Sequence, residues 1–541
     1  MQPRNMTDYE SAHATFRWDR PEIFNFATDV IDRWAAERPD ATGLLWSSET
    51  GESHAYSFQD LRQRSFEAAH TLAALGLRKG DRVFLMLPRQ PEWWFIALGC
   101  IRAGLVLLPG TSMLTNHDIR YRIEVSHAQA VIADAESVAK FHEVDPGGSV
   151  RHWISVGHAP SPWKDYYALS GRASGTGRFE PTKASDPMLL YFTSGTTGMP
   201  KMVAHTQASY GIGHQITGKY WLDLGPDDRH LTLSDTGWAK AAWGKLFGPW
   251  SQGACNVVYD FRGRFEPTKI LDVLQRQRVT TFCAPPTAYR ALILEDLGKW
   301  DLSSIRHAVS AGEPLNPEVI DAWHRATGLE IREGYGQTET VVIVGSFPCL
   351  PQKRGSMGRP SPGYDVRVID EAGSELPPGK EGDIAVRVRP ERPVGLFEAY
   401  ANDPQATADS FRGDFYVTGD RAVRDDEGYL WFVGRKDDVI KTSGYRVGPF
   451  EVESALLEHP AVAESAVVGV PDDRIGQRVK AYVILKPGFV ASEQLASELQ
   501  NHVKQVTAPY KYPREIEFVT ELPKTISGKI RRNELRARDE E

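Results

Sequence analysis

The sequence predicts an α/β protein: a large N-terminal domain of helix-flanked, mostly parallel sheets with a β-rich subdomain, followed by a small α+β C-terminal domain. Three observations carry this. From about residue 80 to 335, short runs rich in branched and aromatic residues alternate with helical patterns, as expected of parallel strands joined by crossover helices. After Arg354 the texture changes to Gly, Pro and charge, with alternating stretches YDVRVID and IAVRV that suit a smaller β unit. A charged, turn-like GRKDD at 434–438 then precedes a fresh βα pattern, so the main boundary is placed between residues 1–436 and 437–541.

In chain order, the strand candidates are VFLMLP at 83, VLLPG at 106, AVIAD at 130, HWISV at 152, MLLYF at 188, HLTLS at 230, NVVYD at 256, TTFCAP at 280 and IRHAVS at 305. Helices are expected from Glu266 (EPTKILDVLQRQRV) and from Asn316 (NPEVIDAWHRATG), where apolar residues recur at three and four. The segment WWFIALGCIRAGLVLLPG from Trp93 is the most membrane-like. Arg102 interrupts it and Gly104, Pro109 and Gly110 break it, so it reads as a buried helix followed by a strand, without stable membrane insertion. Beyond residue 438 the pattern predicts strands in VAESAVVGVP, RVKAYVIL and REIEFV and a helix in SEQLASELQNHVKQV.

The 541 residues suffice for two or three domains, and 41% hydrophobic and 25% charged residues describe an ordinary globular chain. The net charge of −8, with no long basic block, disfavours a nucleic-acid partner. Cys100, Cys255, Cys283 and Cys349 are far apart and form no CxxC pair, which argues for reduced core thiols rather than disulfides or zinc. The N-terminal MQPRNMTDYESAHATFRW has no apolar export core. A cytoplasmic protein is therefore expected. The oligomeric state stays open, a homodimer included.

The most informative stretch is YFTSGTTGMPKMV at 191–203. Hydroxyl residues and glycines from Thr193 through Ser194, Gly195, Thr196, Thr197 and Gly198 can turn the backbone so that its N–H groups face an anion, and Lys201 adds positive charge. Placed after the strand MLLYF and before TQASYGIGHQ, the loop reads as a phosphate cradle at a helix start. It is not a P-loop: Gly195 and Gly198 are separated by two residues, and Met202 stands where a Ser or Thr would hold Mg²⁺.

This loop resembles that of the adenylate-forming (ANL) superfamily of acyl-CoA synthetases, carrier-protein adenylation domains and luciferases. Further signatures of that family follow in order as SAGEP (310–314), GYGQTET (334–340), YVTGD (416–420), GRKDDVIKTSGYRVGPFEVE (434–453) and PKTISGKIRR (523–532). The resemblance implies ATP, Mg²⁺ and CoA as cofactors and co-substrates, and a small C-terminal domain that moves between half-reactions. A carboxylate attacks the α-phosphorus of ATP to give an acyl-adenylate and pyrophosphate, and a thiol then takes the acyl group.

By the same resemblance, Glu339 ligates Mg²⁺, a task suited to a hard carboxylate oxygen. Thr338 binds the α-phosphate or the acyl carboxylate, and Tyr335 stacks beside adenine. Gly312, Glu313 and Pro314 form the other wall of the nucleotide pocket, with Glu333, Gly334, Gly336 and Gln337 completing the ATP site. Asp420 and Arg435 reach the ribose or phosphates, Lys529 contacts the reacting carboxylate and α-phosphate, and Asp437 is the hinge. Ser443, Gly444, Tyr445 and Arg446 meet CoA after rotation, while Lys504 and Arg474 are weaker candidates for its phosphates.

Trp238, Trp243 and Gly336 are the acyl-pocket candidates. Acetate-specific relatives carry a bulky tryptophan just before their QTE, and this sequence has Gly336 there, so the resemblance implies an acid larger than acetate. SDTGWAKAAW, TSGYRVGP and TAPYKYPREIEFV look most like the medium-chain acyl-CoA synthetase branch, which takes medium-chain, branched and aromatic acids. Transfer to a carrier-protein pantetheine, a single half-reaction and a non-catalytic nucleotide-binding protein stay open as alternatives.

Overall fold

The structure, a computed structural model, describes residues 3–145, 147–171, 179–193, 199–263, 265–442, 445–472, 474–525 and 529–538. All the runs expected as strands between 83 and 310 are strands, but they divide between two sheets. The first has eight strands in the order Ala399–Tyr400, Met202–Thr206, Pro187–Phe192, Val106–Pro109, Arg82–Met86, Ala130–Asp134, His152–Val156 and Lys164–Asp165. The second has nine, in the order Arg359–Pro360, Val344–Gly345, Ile331–Tyr335, His307–Ala311, Thr281–Ala284, Arg229–Thr232, Cys255–Asp260, Thr42–Ser48 and Ser53–Ser57. Pairing is parallel through both interiors and antiparallel towards the edges, except that Lys164–Asp165 closes one edge of the first sheet in parallel. Interior strands such as Val106–Pro109 and Ala130–Asp134 are buried along their whole length, which is why they read as continuous apolar runs rather than alternating ones.

Local chemistry sets the helix starts. Pro267–Arg276 and Pro317–Thr327 begin with proline directly after Glu266 and Asn316, because proline lacks the N–H that a first turn leaves unbonded. Phe58–Ala74 starts on a reciprocal capping box between Ser57 and Asp60. The membrane-like segment is the helix Glu92–Arg102 and the strand Val106–Pro109, as expected, and no helix among the described residues is long and apolar enough to cross a membrane. Arg102 is buried inside the protein: it pairs with Asp32 at 2.6 Å, donates to Ser65 Oγ at 3.0 Å and lies 3.8 Å from the centre of the Phe66 ring.

The two remaining sheets follow the change in texture. Val366–Ile369, Glu381–Arg387, Phe415–Arg424, Phe411–Arg412 and Leu430–Arg435 form an antiparallel sheet. Tyr445–Val447, Ile440–Thr442, Gly476–Leu485 and Val462–Asp472 form another, with Glu515–Phe518 added parallel to Gly476–Leu485. Its inner face is closed by helices Pro449–Leu457 and Glu493–Val506 around Val452, Leu456, Leu499 and Val503.

One reading changes. MVAHT at 202–206 is a strand antiparallel to Pro187–Phe192, so the stretch from Thr193 to Lys201 connects two strands of a hairpin and does not lead into a helix; the helix begins only at Gln207. The alternation in this short run lets it pair with its neighbour, and Thr206, rather than the Gly-rich stretch, caps the helix. Cys100, Cys255 and Cys283 are free and buried and Cys349 is free and half-buried.

Close approach of two helices holds the first sheet's outer layer together. A Cβ on Gly99 would sit 2.6 Å from Ala68 Cβ and 2.9 Å from Ala69 N. Gly99→Val is expected to cost roughly 1–3 kcal/mol through overpacking and to lower the melting midpoint by several degrees. An unchanged midpoint would show that the two helices can part without cost.

Candidate active site

A cleft of about 1660 Å³ opens at the carboxyl ends of Arg229–Thr232, His307–Ala311 and Ile331–Tyr335, where open α/β sheets receive ligands. It is lined by Thr193, Lys201, Gly312, Glu313, Pro314 and the run Glu333, Gly334, Tyr335, Gly336, Gln337, Thr338, Glu339. Asp420, Arg435, Asp437 and Lys529 line it as well. Residues more than three hundred positions apart in the chain thus converge on one cavity. Ser194, Gly195, Thr196, Thr197, Gly198, Ser443 and Gly444 lie outside the described residues.

Asp420 ties the site together. It is buried, and its Oδ2 accepts the Tyr335 hydroxyl at 2.7 Å and Gln337 Nε2 at 2.8 Å. Asp420 and Arg435 are cross-strand partners, with Arg435 Nε 3.9 Å from Oδ1. Burial raises the Asp420 pKa, opposed by the Tyr335 bond and by the charges of Arg435 and Lys529. Lys529, exposed at the cleft, thus acts electrostatically on Asp420, and its charge also helps burial lower the pKa of Lys240 on the opposite wall. Lys240 donates to the Ala311 carbonyl, just before Gly312.

Glu339 is buried and accepts the Tyr400 hydroxyl on Oε1 at 2.8 Å. Burial raises its pKa, and the Tyr400 bond opposes that shift. Lys201 Nζ lies 4.7 Å from the centre of the same tyrosine ring. The carbonyl of Thr338 is held between His205 Nε2 at 2.7 Å and the Tyr210 hydroxyl at 2.6 Å, while burial holds the His205 pKa down at about 3. A neutral imidazole in that position donates to the carbonyl and fixes the loop that carries Glu339.

Other expected residues have different partners. Glu333 accepts from Leu315 N at 2.9 Å and burial pushes it up to about 8, so its carboxyl anchors the SAGEP turn to its neighbouring strand. Tyr445 is 52% exposed and stacks on Tyr510 at 4.2 Å, and Arg446 lies 3.9 Å from Glu381. Neither lines the cleft; nor do Lys504, which lies over the Tyr512 ring, and exposed Arg474. Lys529 thus lines the cleft, whereas Tyr445 and Arg446 do not.

Trp238 and Trp243 both line the cleft, Trp243 at the start of a π-helical turn, Trp243–Phe247. A Cβ on Gly336 would lie 2.1 Å from the Val341 carbonyl oxygen and 2.7 Å from Trp243 Cη2. The space left by glycine is therefore taken by the Val341 backbone and the tryptophan ring together. Sequence reasoning missed Tyr400, His205, Tyr210 and Lys240, since none stands in a stretch whose spacing announces chemistry.

Among the described residues no group of three or more His, Cys, Asp or Glu side chains could hold a metal ion. A cation at Glu339 would therefore take most of its ligands from a bound phosphate chain and water. That fits Mg²⁺, which is usually held by one or two carboxylates plus substrate phosphates.

Comparison with known proteins agrees with this geometry. Residues 31–400 match the AMP-binding enzyme family and residues 451–529 match the AMP-binding enzyme C-terminal domain. The mitochondrial acyl-coenzyme A synthetase ACSM3 of Mus musculus is 48% identical over 99% of this chain and 94% of its own. The anthranilate CoA ligase AuaEII, solved with anthranoyl-AMP, superposes with a TM-score of 0.89 at 31% identity, covering 96% of this chain and 98% of that one. ATP-bound MatB from Rhodopseudomonas palustris gives 0.84 at 27% identity, covering 95% and 99%.

The relatives correct one expectation. ACSM3 is named as mitochondrial in both Mus musculus and Homo sapiens, so a cytoplasmic location does not stand. Lack of an apolar export core bears only on secretion, since organelle-targeting segments are amphipathic rather than apolar. On the family match and on near full-length identity to an acyl-coenzyme A synthetase, this chain belongs to the AMP-binding enzyme family.

Proposed function

We propose that this protein is an ATP-dependent acid–CoA ligase acting on medium-chain, branched or aromatic carboxylic acids. The observation that carries the reading is the meeting of Lys201, Glu339, Asp420, Arg435 and Lys529 at one cleft. In the first half-reaction a carboxylate oxygen attacks the α-phosphorus and the bond to pyrophosphate breaks, leaving an acyl-adenylate. In the second, the CoA thiol loses its proton, its sulfur attacks the acyl carbon, and AMP departs.

Each side chain has a task its position supports. Tyr335, with its hydroxyl held by Asp420, offers a fixed ring beside adenine, and Asp420 and Arg435 face the ribose. Lys201 and Lys529 would bring positive charge to opposite ends of the phosphate chain, and the hydroxyl of Thr338, which also lines the cleft, would meet the reacting carboxylate. A preorganised contact of this kind is worth about 3 kcal/mol of barrier. Glu339 would hold Mg²⁺, which would neutralise charge on the triphosphate.

The small C-terminal unit begins, in this reading, at Asp437, which serves as its hinge. Its rotation would withdraw Lys529 and bring Ser443, Gly444, Tyr445 and Arg446 to the cleft, where Arg446 can grip a CoA phosphate.

Three outcomes test the proposal. Incubation with a panel of acids, ATP, Mg²⁺ and CoA should release AMP and pyrophosphate, and silence with every acid would sink it. Lys529→Ala should lower adenylation a hundredfold or more and spare thioester formation from a supplied acyl-adenylate; equal loss of both steps would refute its role. Trp243→Ala should open space beside Gly336 and shift kcat/KM towards longer or aromatic acids by about tenfold, within the range one or two methylenes are worth. An unchanged ranking of acids would move the acyl pocket elsewhere.

A further inference from the structure

Glu339 is held from outside its own loop. Its carbonyl accepts from Phe397 N at 2.7 Å and its Oε1 accepts the Tyr400 hydroxyl at 2.8 Å, so one short segment grips both ends of the residue. Tyr400 is itself tightly placed. It is 8% exposed, its ring lies 5.0 Å from that of Phe397, and its backbone N donates to Thr407 Oγ1 at 2.9 Å. On the sheet it pairs with Val203, two residues beyond Lys201, and Lys201 Nζ stands over its ring. A single side chain therefore touches both the carboxylate and the lysine that line the cleft.

We propose that Tyr400 is a positioning residue for adenylation, fixing Glu339 as the ligand of the Mg²⁺ that accompanies ATP and fixing Lys201 across its ring. The inference rests on the acid–CoA ligase reading and adds a residue to it. A carboxylate on a two-bond side chain has several rotamers. With Oε1 tied to a rigid phenol, the group keeps one setting and turns its second oxygen to the metal. A neutral donor suits this task, because a lysine or arginine there would neutralise the charge the cation needs. The lysine is oriented differently: the ring face attracts the ammonium without consuming an N–H, so its three donors stay available for phosphate oxygens.

Calorimetric titration with ATP, once with Mg²⁺ and once in EDTA, separates these effects without turnover. Tyr400→Phe keeps the ring and removes one hydroxyl. It should weaken binding of ATP in Mg²⁺ by about tenfold, in line with loss of a hydrogen bond to a charged group, and leave binding in EDTA unchanged. Thioester formation from a supplied acyl-adenylate, in which no pyrophosphate leaves, should also be unchanged. Tyr400→Leu removes the ring as well and should weaken ATP in both conditions. Unaltered Mg²⁺-dependent binding in Tyr400→Phe would overturn the proposal. So would equal weakening with and without metal together with a lowered melting midpoint, which would mark a structural role. If the wild-type protein gains no ATP affinity from Mg²⁺, the metal assignment of Glu339 falls with it, whereas a wild type that does gain beside an unaffected variant rejects the tyrosine alone.

Discussion

Asp420 is a carboxylate almost cut off from water, and a charge in that position must find partners within the protein. Its partners come from three parts of the chain: Tyr335 and Gln337 from the edge of the large sheet, Arg435 across the antiparallel ladder, and the field of Lys529 from near the C-terminus. Meeting this one demand aligns the second sheet with the β-rich unit and sets the floor of the cleft. Gln337 extends the arrangement, accepting the Tyr416 hydroxyl at 3.0 Å and donating to the Thr418 carbonyl at 2.9 Å. The loop carrying Glu339 is thus anchored at its first turn by Asp420 and further along by His205, Tyr210 and Phe397.

Two carboxylates on one wall make a poor receptor for a triphosphate unless cations accompany it. Burial raises the pKa of both Glu339 and Asp420, and the charge of Asp420 adds a smaller upward push on Glu339. Under the proposed function, such a wall would disfavour ATP alone, whereas a cation held at Glu339, with Lys201, Arg435 and Lys529 lining the same cleft, would favour the metal-bound nucleotide.

Much of this was legible in the sequence because parallel strands buried on both faces are continuous apolar runs, and each of those between 83 and 310 is a strand. The hairpin Thr42–Ser48 and Ser53–Ser57 was not legible: its second strand is mostly exposed and polar, and only pairing of Thr42–Ser48 with Cys255–Asp260 shows that it completes the second sheet. MVAHT was absorbed into a helix start because five residues are too few for period alone to separate strand from helix. Within the site, Lys201, Glu339, Asp420 and Lys529 stood in recognisable stretches, whereas Tyr400 sits in LFEAYANDPQ, where nothing local marks it. Its meaning comes from tertiary pairing with the strand after Lys201, a contact nearly two hundred positions away.

The hinge proposed at Asp437 can be argued from where strong and weak contacts fall. Asp438 bonds Arg536 and lies 3.9 Å from Arg532, and Arg532 grips Glu453 at 2.7 Å and 2.9 Å, so Asp438 is tied into the small unit. Residues up to Arg435 are tied into the ladder with Asp420. Lys436 N also donates to the Gly419 carbonyl at 3.0 Å, so between these two anchors Asp437 is left to absorb a large backbone rotation. Contacts that would have to break are weak by comparison: Arg446 to Glu381 spans 3.9 Å with a half-exposed arginine, and Asn316 to Ser454 is a neutral hydrogen bond of 3.0 Å. A half-exposed ion pair like Arg446–Glu381 contributes about 0–1 kcal/mol, and a neutral hydrogen bond such as that of buried Asn316 about 0.5–1.5 kcal/mol. The field of Lys529 on Asp420 is a further link between the small unit and the cleft. In the proposed reaction, departure of pyrophosphate would remove the anion beside Lys201, and rotation at Asp437 would then withdraw Lys529 and present Arg446 to CoA.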